Sequence, residues 1–212
     1  MQYHAYARRK LGKRDAIQLL GFSLVVEPDV FHPQLFISSK FLGRYVGSLL
    51  LKNTQVLDMG TGSGIIALCA ARLGASVTAV DLNPTAVRCA AENFGRNGFE
   101  GKITILQCDL FSSLPRRPTF DYIIWNPPFY EGDPVTAADF AWKAGTDYET
   151  IRRFAHDAAD YLSRSGRIIL ILSSDGNPER VLSFFHEQEF RSQTTAATRR
   201  LFETLRVYEL SR

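Results

Sequence analysis

The chain of 212 residues predicts an α/β fold, in which a mostly parallel sheet is covered by helices on both faces. Three observations predict it. From residue 55 onward, short apolar runs alternate with stretches of helical periodicity. These runs are continuous, which indicates strands that are buried on both faces. Two of them end in distinctive turns, a glycine-rich turn at residues 58–64 and an Asn-Pro-Pro-Phe turn at residues 126–129.

The first 54 residues precede this alternation. Residues 2–20 are predicted to form a helical piece that Gly21 ends, and residues 22–26 a short strand. Ser38 or Ser39 can cap a helix that runs to about Leu51. We therefore expect an N-terminal helical and strand extension at residues 1–30 and a main domain at residues 31–212.

Two of the later predicted helices begin with an Asn-Pro pair, at residues 83–84 and 177–178. Asn can cap the N-terminus of a helix, and Pro is favoured in its first turn. No helical pattern separates the last two strands, so they are expected to form an antiparallel hairpin at the sheet edge. The predicted strands cover residues 56–57, 77–80, 103–106, 122–125, 167–172, 190–196 and 204–210, and the predicted helices cover residues 65–73, 84–94, 148–162 and 178–188.

The bulk composition is that of a globular protein, with 45% hydrophobic and 22% charged residues. No apolar run approaches the roughly 18 residues that a membrane span needs, and the first residues do not resemble a secretory signal. The three cysteines form no Cys-x-x-Cys pair and are odd in number. This pattern favours a reducing, cytoplasmic location and argues against a disulfide or zinc framework.

The formal charge of +3 is unevenly distributed. The first 14 residues carry five basic side chains and no acidic one, whereas the remaining 198 residues sum to −2. The body of the chain is therefore not a basic platform for nucleic acid. The basic segment can contact phosphates or can simply be a solvated surface. Its basic residues are Arg8, Arg9, Lys10, Lys13 and Arg14.

The glycine-rich turn follows the first strand of the alternation and precedes a helix, which is where ligands bind in open α/β sheets. Gly60, Gly62 and Gly64 permit a tight turn and leave room for a ligand at the helix N-terminus. Asp81 ends the next strand, where an acid can bind ribose hydroxyls. A dinucleotide site is the main competitor, but the spacing is Gly-x-Gly-x-Gly. Counted from Gly60, Ile65 stands where that fingerprint needs its third glycine, and counted from Gly62, Ala67 fits only the relaxed form.

The Asn-Pro-Pro-Phe turn suggests a site for a planar amine or amide. The lone pair of such a nitrogen is delocalised, and two acceptors on its N–H groups can favour a more nucleophilic shape. The side-chain oxygen of Asn126 and the carbonyl of Pro127 can supply them. Pro127 and Pro128 restrict φ and stiffen the turn, and Phe129 offers a flat face. A plain Asn-Pro turn is the structural alternative.

Four motifs in order, at residues 56–64, 81–84, 108–110 and 126–129, resemble the class I S-adenosylmethionine-dependent methyltransferases. Within them the chain is similar to the small methyltransferase domain group, which includes release factor glutamine methyltransferases and adenine or guanine exocyclic-amine methyltransferases. The resemblance implies a Rossmann-like, mostly parallel seven-stranded sheet. It also implies S-adenosyl-L-methionine as the cofactor.

The resemblance also implies roles for individual residues. Asp58 and the glycines would contact the methionine part, Asp81 the ribose hydroxyls, and Asp109 the adenine amine, with Leu82 against the adenine. The implied cofactor-binding residues are Asp58, Gly60, Thr61, Gly62, Gly64, Asp81, Leu82, Asp109, Leu110 and Asn126, and the implied catalytic residues are Asn126, Pro127, Pro128 and Phe129.

Two further stretches bear on the substrate. Residues 30–33, followed by Ser38 and Ser39, look like the segment that precedes the domain in this family, although the acid usual near Ser39 in the glutamine-modifying branches is missing. Residues 130–147 form a long loop, a length typical of lids. Within it, residues 142–147 are similar to a loop of the two-subunit glutamine methyltransferases of archaea and eukaryotes.

The sequence thus favours a methyltransferase that acts on a planar nitrogen, with the glutamine amide of a protein, such as a release factor, as the preferred acceptor. An exocyclic amine of adenine or guanine in RNA or DNA stays open, as does a non-catalytic module that binds the cofactor as a scaffold. We expect no membrane, no metal and a monomeric chain.

Overall fold

The computed structural model describes residues 13–117, 119–200 and 203–212, without the side chains of residues 137 and 138. Its central sheet has seven strands, all parallel except for one that runs antiparallel between the last parallel strand and the edge. The predicted α/β fold and the C-terminal hairpin are therefore confirmed. The strands are β1 (Asp15–Leu19), β2 (Phe22–Val26), β3 (Gln55–Met59), β4 (Ser76–Asp81), β5 (Ile103–Gln107), β6 (Phe120–Trp125), β7 (Leu162–Ser173), β8 (Arg191–Arg200) and β9 (Glu203–Ser211).

The sheet order is β5-β4-β3-β6-β7-β9-β8, so the direction of strand addition reverses at β3. A ligand site is expected at such a switch point, at the carboxyl ends of the strands. The helices are α1 (Ile37–Val46), α2 (Ile65–Arg72), α3 (Pro84–Arg96), α4 (Glu149–Asp157) and α5 (Pro178–His186). Each of these is too short to span a lipid bilayer, and no membrane-crossing helix occurs in the described ranges.

Neighbouring residues along the central strands face two separate cores. In β3, Val56 packs with residues of α1, α2 and α3, whereas Leu57 packs with residues of α4 and α5. In β6, Ile124 lies in the same core as Val56, and Ile123 lies in the same core as Leu57. All four side chains are fully buried, which explains why the predicted strands are continuous apolar runs.

The N-terminal part differs from the prediction. Residues 15–19 form β1, which pairs with β2 as an antiparallel hairpin, so the predicted helix over residues 2–20 is wrong there; residues 1–12 lie outside the described residues. Ile17 and Leu19 are buried and Gln18 is exposed, the period of a strand. Leu20 and Gly21 both have positive φ, as a two-residue hairpin turn requires.

This hairpin is fastened to the rest of the chain by Asn93 of α3. The fully buried side chain of Asn93 accepts a hydrogen bond from the Val25 N–H at 2.7 Å. Its amide nitrogen donates to the Val25 carbonyl at 2.8 Å and to the Ser63 carbonyl at 2.9 Å. One amide therefore joins the hairpin to the glycine-rich turn. The boundary at residue 30 stays a prediction, although Val26 and Val30 share one core.

Some predicted bounds were also wrong. The helix predicted to end at Leu51 ends at Val46, and the one predicted for residues 148–162 ends at Asp157, because a 3₁₀ turn follows and β7 already begins at Leu162. The strand predicted for residues 167–172 begins earlier, at Leu162, and the register of β6 against β7 shifts between Phe120 and Tyr122, which leaves residues 165–166 in a bulge of β7. A Cβ on Gly166 would lie 2.8 Å from the Phe120 carbonyl oxygen, so the bulge needs glycine.

Candidate active site

A pocket of about 540 Å³ lies at the carboxyl ends of β3, β4 and β6 and brings the two sequence motifs together. Of the predicted site residues, only Gly64 does not line it. The predicted residues that do are Asp58, Gly60, Thr61, Gly62, Asp81, Leu82, Asp109, Leu110, Asn126, Pro127, Pro128 and Phe129.

The glycine-rich turn forms the floor of this pocket. Gly60 and Gly62 have φ of +62° and +55°, and a Cβ on Gly62 would meet nothing nearer than 4.0 Å. Gly62 thus leaves open space beside the turn. Gly64 serves the packing instead, because its Cβ would lie 2.6 Å from the ring of Phe94 and its small size lets α3 approach the start of α2. Its predicted contact with a cofactor stays a prediction.

Asp58 is buried at the end of β3 and ties the turn to α2. Its Oδ2 accepts hydrogen bonds from the Thr61 hydroxyl at 2.6 Å and from the Ala67 N–H, in the first turn of α2, at 3.0 Å. Burial raises the pKa of Asp58 to about 7, partly opposed by these two hydrogen bonds. This carboxyl therefore changes its charge near neutral pH.

Asp81, at the end of β4, accepts hydrogen bonds from two backbone N–H groups. Its Oδ2 accepts from Gly62 at 2.8 Å and its Oδ1 from Asn83 at 2.9 Å. Burial raises its pKa, and the backbone hydrogen bonds oppose the shift. A carboxylate has about four acceptor positions, so this one can still accept from two vicinal hydroxyls.

The predicted adenine end of the pocket is formed by Leu82 and the segment after β5. Leu82 is 46% exposed, an apolar surface that a flat ring could cover. Asp109 Oδ2 accepts a hydrogen bond from Arg153 of α4 at 2.7 Å. Leu110 has φ of +50°, and the Cys108 thiol donates to its carbonyl at 3.0 Å. Cys108 lies within the motif at residues 108–110, although no role was predicted for it, and no local motif signals Arg153.

Only one end of the Asn126 side-chain amide, its nitrogen, makes hydrogen bonds in the described structure. Its Nδ2 donates to the hydroxyl oxygens of Ser38 and Ser39, at 3.3 and 3.4 Å. Its Oδ1 is buried and has no hydrogen-bond partner in the described structure. An unpaired buried acceptor is costly unless a ligand completes it. The motif predicted Asn126, but the two serines were noted only as a helix cap and as part of the preceding segment.

The remainder of the Asn-Pro-Pro-Phe turn rests on the loop after β7. A Cβ on Gly176 would lie 2.4 Å from the Phe129 carbonyl oxygen and 3.0 Å from its Cβ. Phe129 itself is only 7% exposed, and its ring packs against that of Tyr130. Gly176 is therefore a backing residue for this turn, found only because the structure brings the two loops together.

The long loop at residues 130–147 is ordered against the start of the domain. Backbone hydrogen bonds join Tyr130 to Trp142 and to Ala144. The ring of Trp142 packs against Phe31 and Phe36, with centroid distances of 4.7 and 4.2 Å. The predicted preceding segment and the predicted lid thus meet beside the pocket; that the loop opens and closes stays a prediction.

Comparison with known proteins gives the family. The model for "Methyltransferase small domain" matches residues 22–206. A Methanocaldococcus jannaschii protein, named as a candidate protein N5-glutamine methyltransferase, is 30% identical over 90% of this chain and 96% of its own length. A release factor glutamine methyltransferase of Rhodopirellula baltica is 38% identical over 71% of this chain, which spans about half (54%) of that relative.

The fold is shared with solved structures. A Thermus thermophilus 16S rRNA N2 G1207 methyltransferase, in complex with S-adenosylmethionine and guanosine, superposes with a TM-score of 0.68 at 22% identity. It covers 94% of this chain and 50% of its own. The pocket fits such a cofactor, since open space at Gly62, the carboxylates of Asp58 and Asp81 and the exposed face of Leu82 line one cavity. The chain therefore belongs to the methyltransferase small domain family and is an S-adenosylmethionine-dependent N-methyltransferase.

Proposed function

We propose that this chain methylates the side-chain amide nitrogen of a glutamine in a protein. The observation that carries the proposal is the buried, unpartnered Oδ1 of Asn126 in the lining of the cofactor pocket. A primary amide offers two N–H donors and a planar nitrogen. Asn126 Oδ1 and the Pro127 carbonyl can accept one N–H each.

Bound S-adenosylmethionine supplies an electrophilic methyl group on a sulfonium. Asn126 and Pro127 orient the amide so that the nitrogen lone pair points along the line of attack, which is catalysis by positioning. The fixed φ of Pro127 and Pro128 and the support of Gly176 keep these acceptors in place. The scheme needs no base during attack, because the extra proton can leave to water afterwards.

Charge near the acceptor side favours protein over nucleic acid. The loop at residues 130–147 carries four acids, Glu131, Asp133, Asp139 and Asp147, and one basic residue, Lys143. Asp147 is paired with Arg152 and Arg180, and the other acids of the segment disfavour phosphates, which dominate nucleic-acid affinity. The similarity to the archaeal relative, which extends over nearly its whole length, supports the same choice.

The second candidate is an exocyclic amine of adenine or guanine in RNA or DNA. One observation favours it: Phe140 lines the pocket and is 51% exposed, so its ring could stack on a base. Part of the basic N-terminal segment lies outside the described residues and could contact phosphates. Arg14 is already engaged within the chain, because its guanidinium pairs with Glu92 at 2.6 Å.

The deciding experiment is transfer of a tritiated methyl group to a purified release factor and, separately, to total RNA, at two salt concentrations. We expect label in the release factor, with a shallow dependence on salt. A variant with Arg8, Arg9 and Lys10 changed to Gln should behave like the parent. Label in RNA alone, with a salt slope that this variant flattens, would contradict the glutamine proposal. Label in neither would also contradict the glutamine proposal and would direct the search to a different acceptor.

A further inference from the structure

Two serines 87 and 88 residues upstream of Asn126 contact it through its amide nitrogen. Ser38 and Ser39 lie in the first turn of α1 and are 4% and 5% exposed. We propose that they are positioning residues, which hold the Asn126 amide in the one orientation that leaves its oxygen free to accept a hydrogen bond from the methyl acceptor. The proposal rests on the role given to Asn126 above.

An asparagine amide can turn by 180° with almost no change of shape, but the turn exchanges an acceptor for two donors. Only one orientation suits the nitrogen that receives the methyl group, because this nitrogen carries N–H donors. In the other, the Asn126 Nδ2 would face those N–H groups, donor against donor. The amide itself does not distinguish the two orientations, so neighbouring groups must stabilise one of them.

Ser38 and Ser39 can decide because they offer two hydroxyl oxygens to the two protons of Nδ2. In the observed orientation both donors are satisfied, and only Oδ1 stays unpaired. In the reversed orientation the hydroxyls could donate to Oδ1, but the NH₂ group, with its two donors, would stay unpaired. Unpaired buried N–H groups are rarer in proteins than under-satisfied carbonyl oxygens. The serines therefore favour the productive orientation before any substrate binds.

Helix capping does not explain these serines. The N-cap position of α1 is Phe36, and no side-chain hydrogen bond caps the helix in the described structure. The helix itself is fixed from another side, because a Cβ on Gly43 would lie 2.5 Å from the Leu20 side chain of the N-terminal hairpin. This close packing holds α1, and with it Ser38 and Ser39, against the N-terminal hairpin.

The first test is a double-mutant cycle. Ser38→Ala/Ser39→Ala should lower the single-turnover rate about tenfold to a hundredfold, since two buried hydrogen bonds are lost. Affinity for S-adenosylhomocysteine should stay within about threefold. In an Asn126→Ala background the same two changes should have no further effect. The rate is measured on whichever acceptor, release factor or RNA, the labelling experiment identifies. Ser48→Ala, which removes an exposed hydroxyl, is the control and should change nothing.

The second test needs no acceptor. The ¹⁵N side-chain signal of Asn126, assigned by its loss in Asn126→Asp, should show amide protons that exchange slowly with solvent. In Ser38→Ala/Ser39→Ala this exchange should accelerate at least tenfold, while thermal unfolding shows that the variant is folded. Unchanged exchange, or an equal loss of rate with and without Asn126, would overturn the proposal. A failure of the glutamine proposal alone would leave the exchange result intact.

Discussion

The two turns at the pocket differ in how many of their side-chain oxygen atoms accept hydrogen bonds from the chain. At the glycine-rich turn, Asp58 and the neighbouring Asp81 of β4 together accept four hydrogen bonds from the chain itself. In the Asn-Pro-Pro-Phe turn, Asn126 Oδ1 accepts none. Both carboxylates are therefore held in place by the chain, with acceptor positions left on Asp81, whereas Asn126 Oδ1 gains a hydrogen bond only from a ligand. We therefore expect the unpaired Oδ1 of Asn126 to select for a ligand that carries a hydrogen-bond donor.

The largest effect is expected from Asn126→Ala, which removes the open acceptor. Turnover should fall roughly 10²–10³-fold, the magnitude for loss of one preorganised polar group. Cofactor affinity should change only a few-fold. Single-turnover methyl transfer and calorimetry measure the two quantities. Asn97→Ala, which removes hydrogen bonds to Ser23, is the control and should reduce stability without this loss. Near-normal turnover of Asn126→Ala would refute the assignment.

Asp81→Ala tests the cofactor side of the pocket, because it removes the carboxylate expected to bind the ribose hydroxyls. Cofactor affinity should decrease by about 1.5–3 kcal/mol, as for hydrogen bonds to a charged group. Calorimetry with S-adenosylhomocysteine measures this, and NAD should not bind either form. Asp121→Ala is the matched control, because Asp121 also accepts a backbone N–H, from Gln55, but does not line the pocket. Equal affinity in Asp81→Ala and the parent would show that the ribose lies elsewhere.

Gly176→Ala tests the support behind the acceptor turn. The added Cβ must displace the Phe129 backbone, so turnover should fall about tenfold to a hundredfold through misplacement of the acceptors, while cofactor affinity is kept. Gly95→Ala is the control. Its Cβ would meet only a Glu100 carboxylate oxygen at 3.9 Å in an exposed helix, so the change should be neutral or stabilising. Normal turnover in Gly176→Ala would mean that the turn tolerates the displacement.

The smallest effect concerns the charge of Asp58. Its pKa is raised to about 7, so the folded chain holds this proton more tightly than the unfolded chain does. Its contribution to stability is full below the ordinary pKa and is lost as the pH rises towards 7. Cofactor affinity should move the other way, rising up to about tenfold from pH 6 to pH 8 as the carboxylate forms. Calorimetry across this range should show the rise in the parent and a flat profile in Asp58→Asn.

Local patterns in the sequence predicted most of the fold and the cofactor side. Continuous apolar runs such as 122–125 identify buried strands, and motifs at strand ends meet because parallel strands share one carboxyl edge. The strand at residues 15–19 was missed although Ile17 and Leu19 alternate with Gln18, since a five-residue strand beside a basic segment gives a weak signal.

The contacts that complete the site could not be read from the sequence. Ser38 meets Asn126, and Gly176 meets Phe129, only after the sheet has formed. Their residue types are ordinary near helix starts and in turns, so neither type nor spacing marks them. Such long-range partners depend on how elements pack, and no periodicity within one element encodes them.

The bond from Asn93 to the Ser63 carbonyl has a consequence for communication within the molecule. The same amide pairs with both backbone groups of Val25, so the glycine-rich turn and the N-terminal hairpin are thermodynamically linked. A ligand that binds the turn in this conformation is therefore expected to lower the population of states in which the hairpin detaches. The Val25 N–H then becomes a reporter of cofactor binding, exchanging with deuterium more slowly when the pocket is filled.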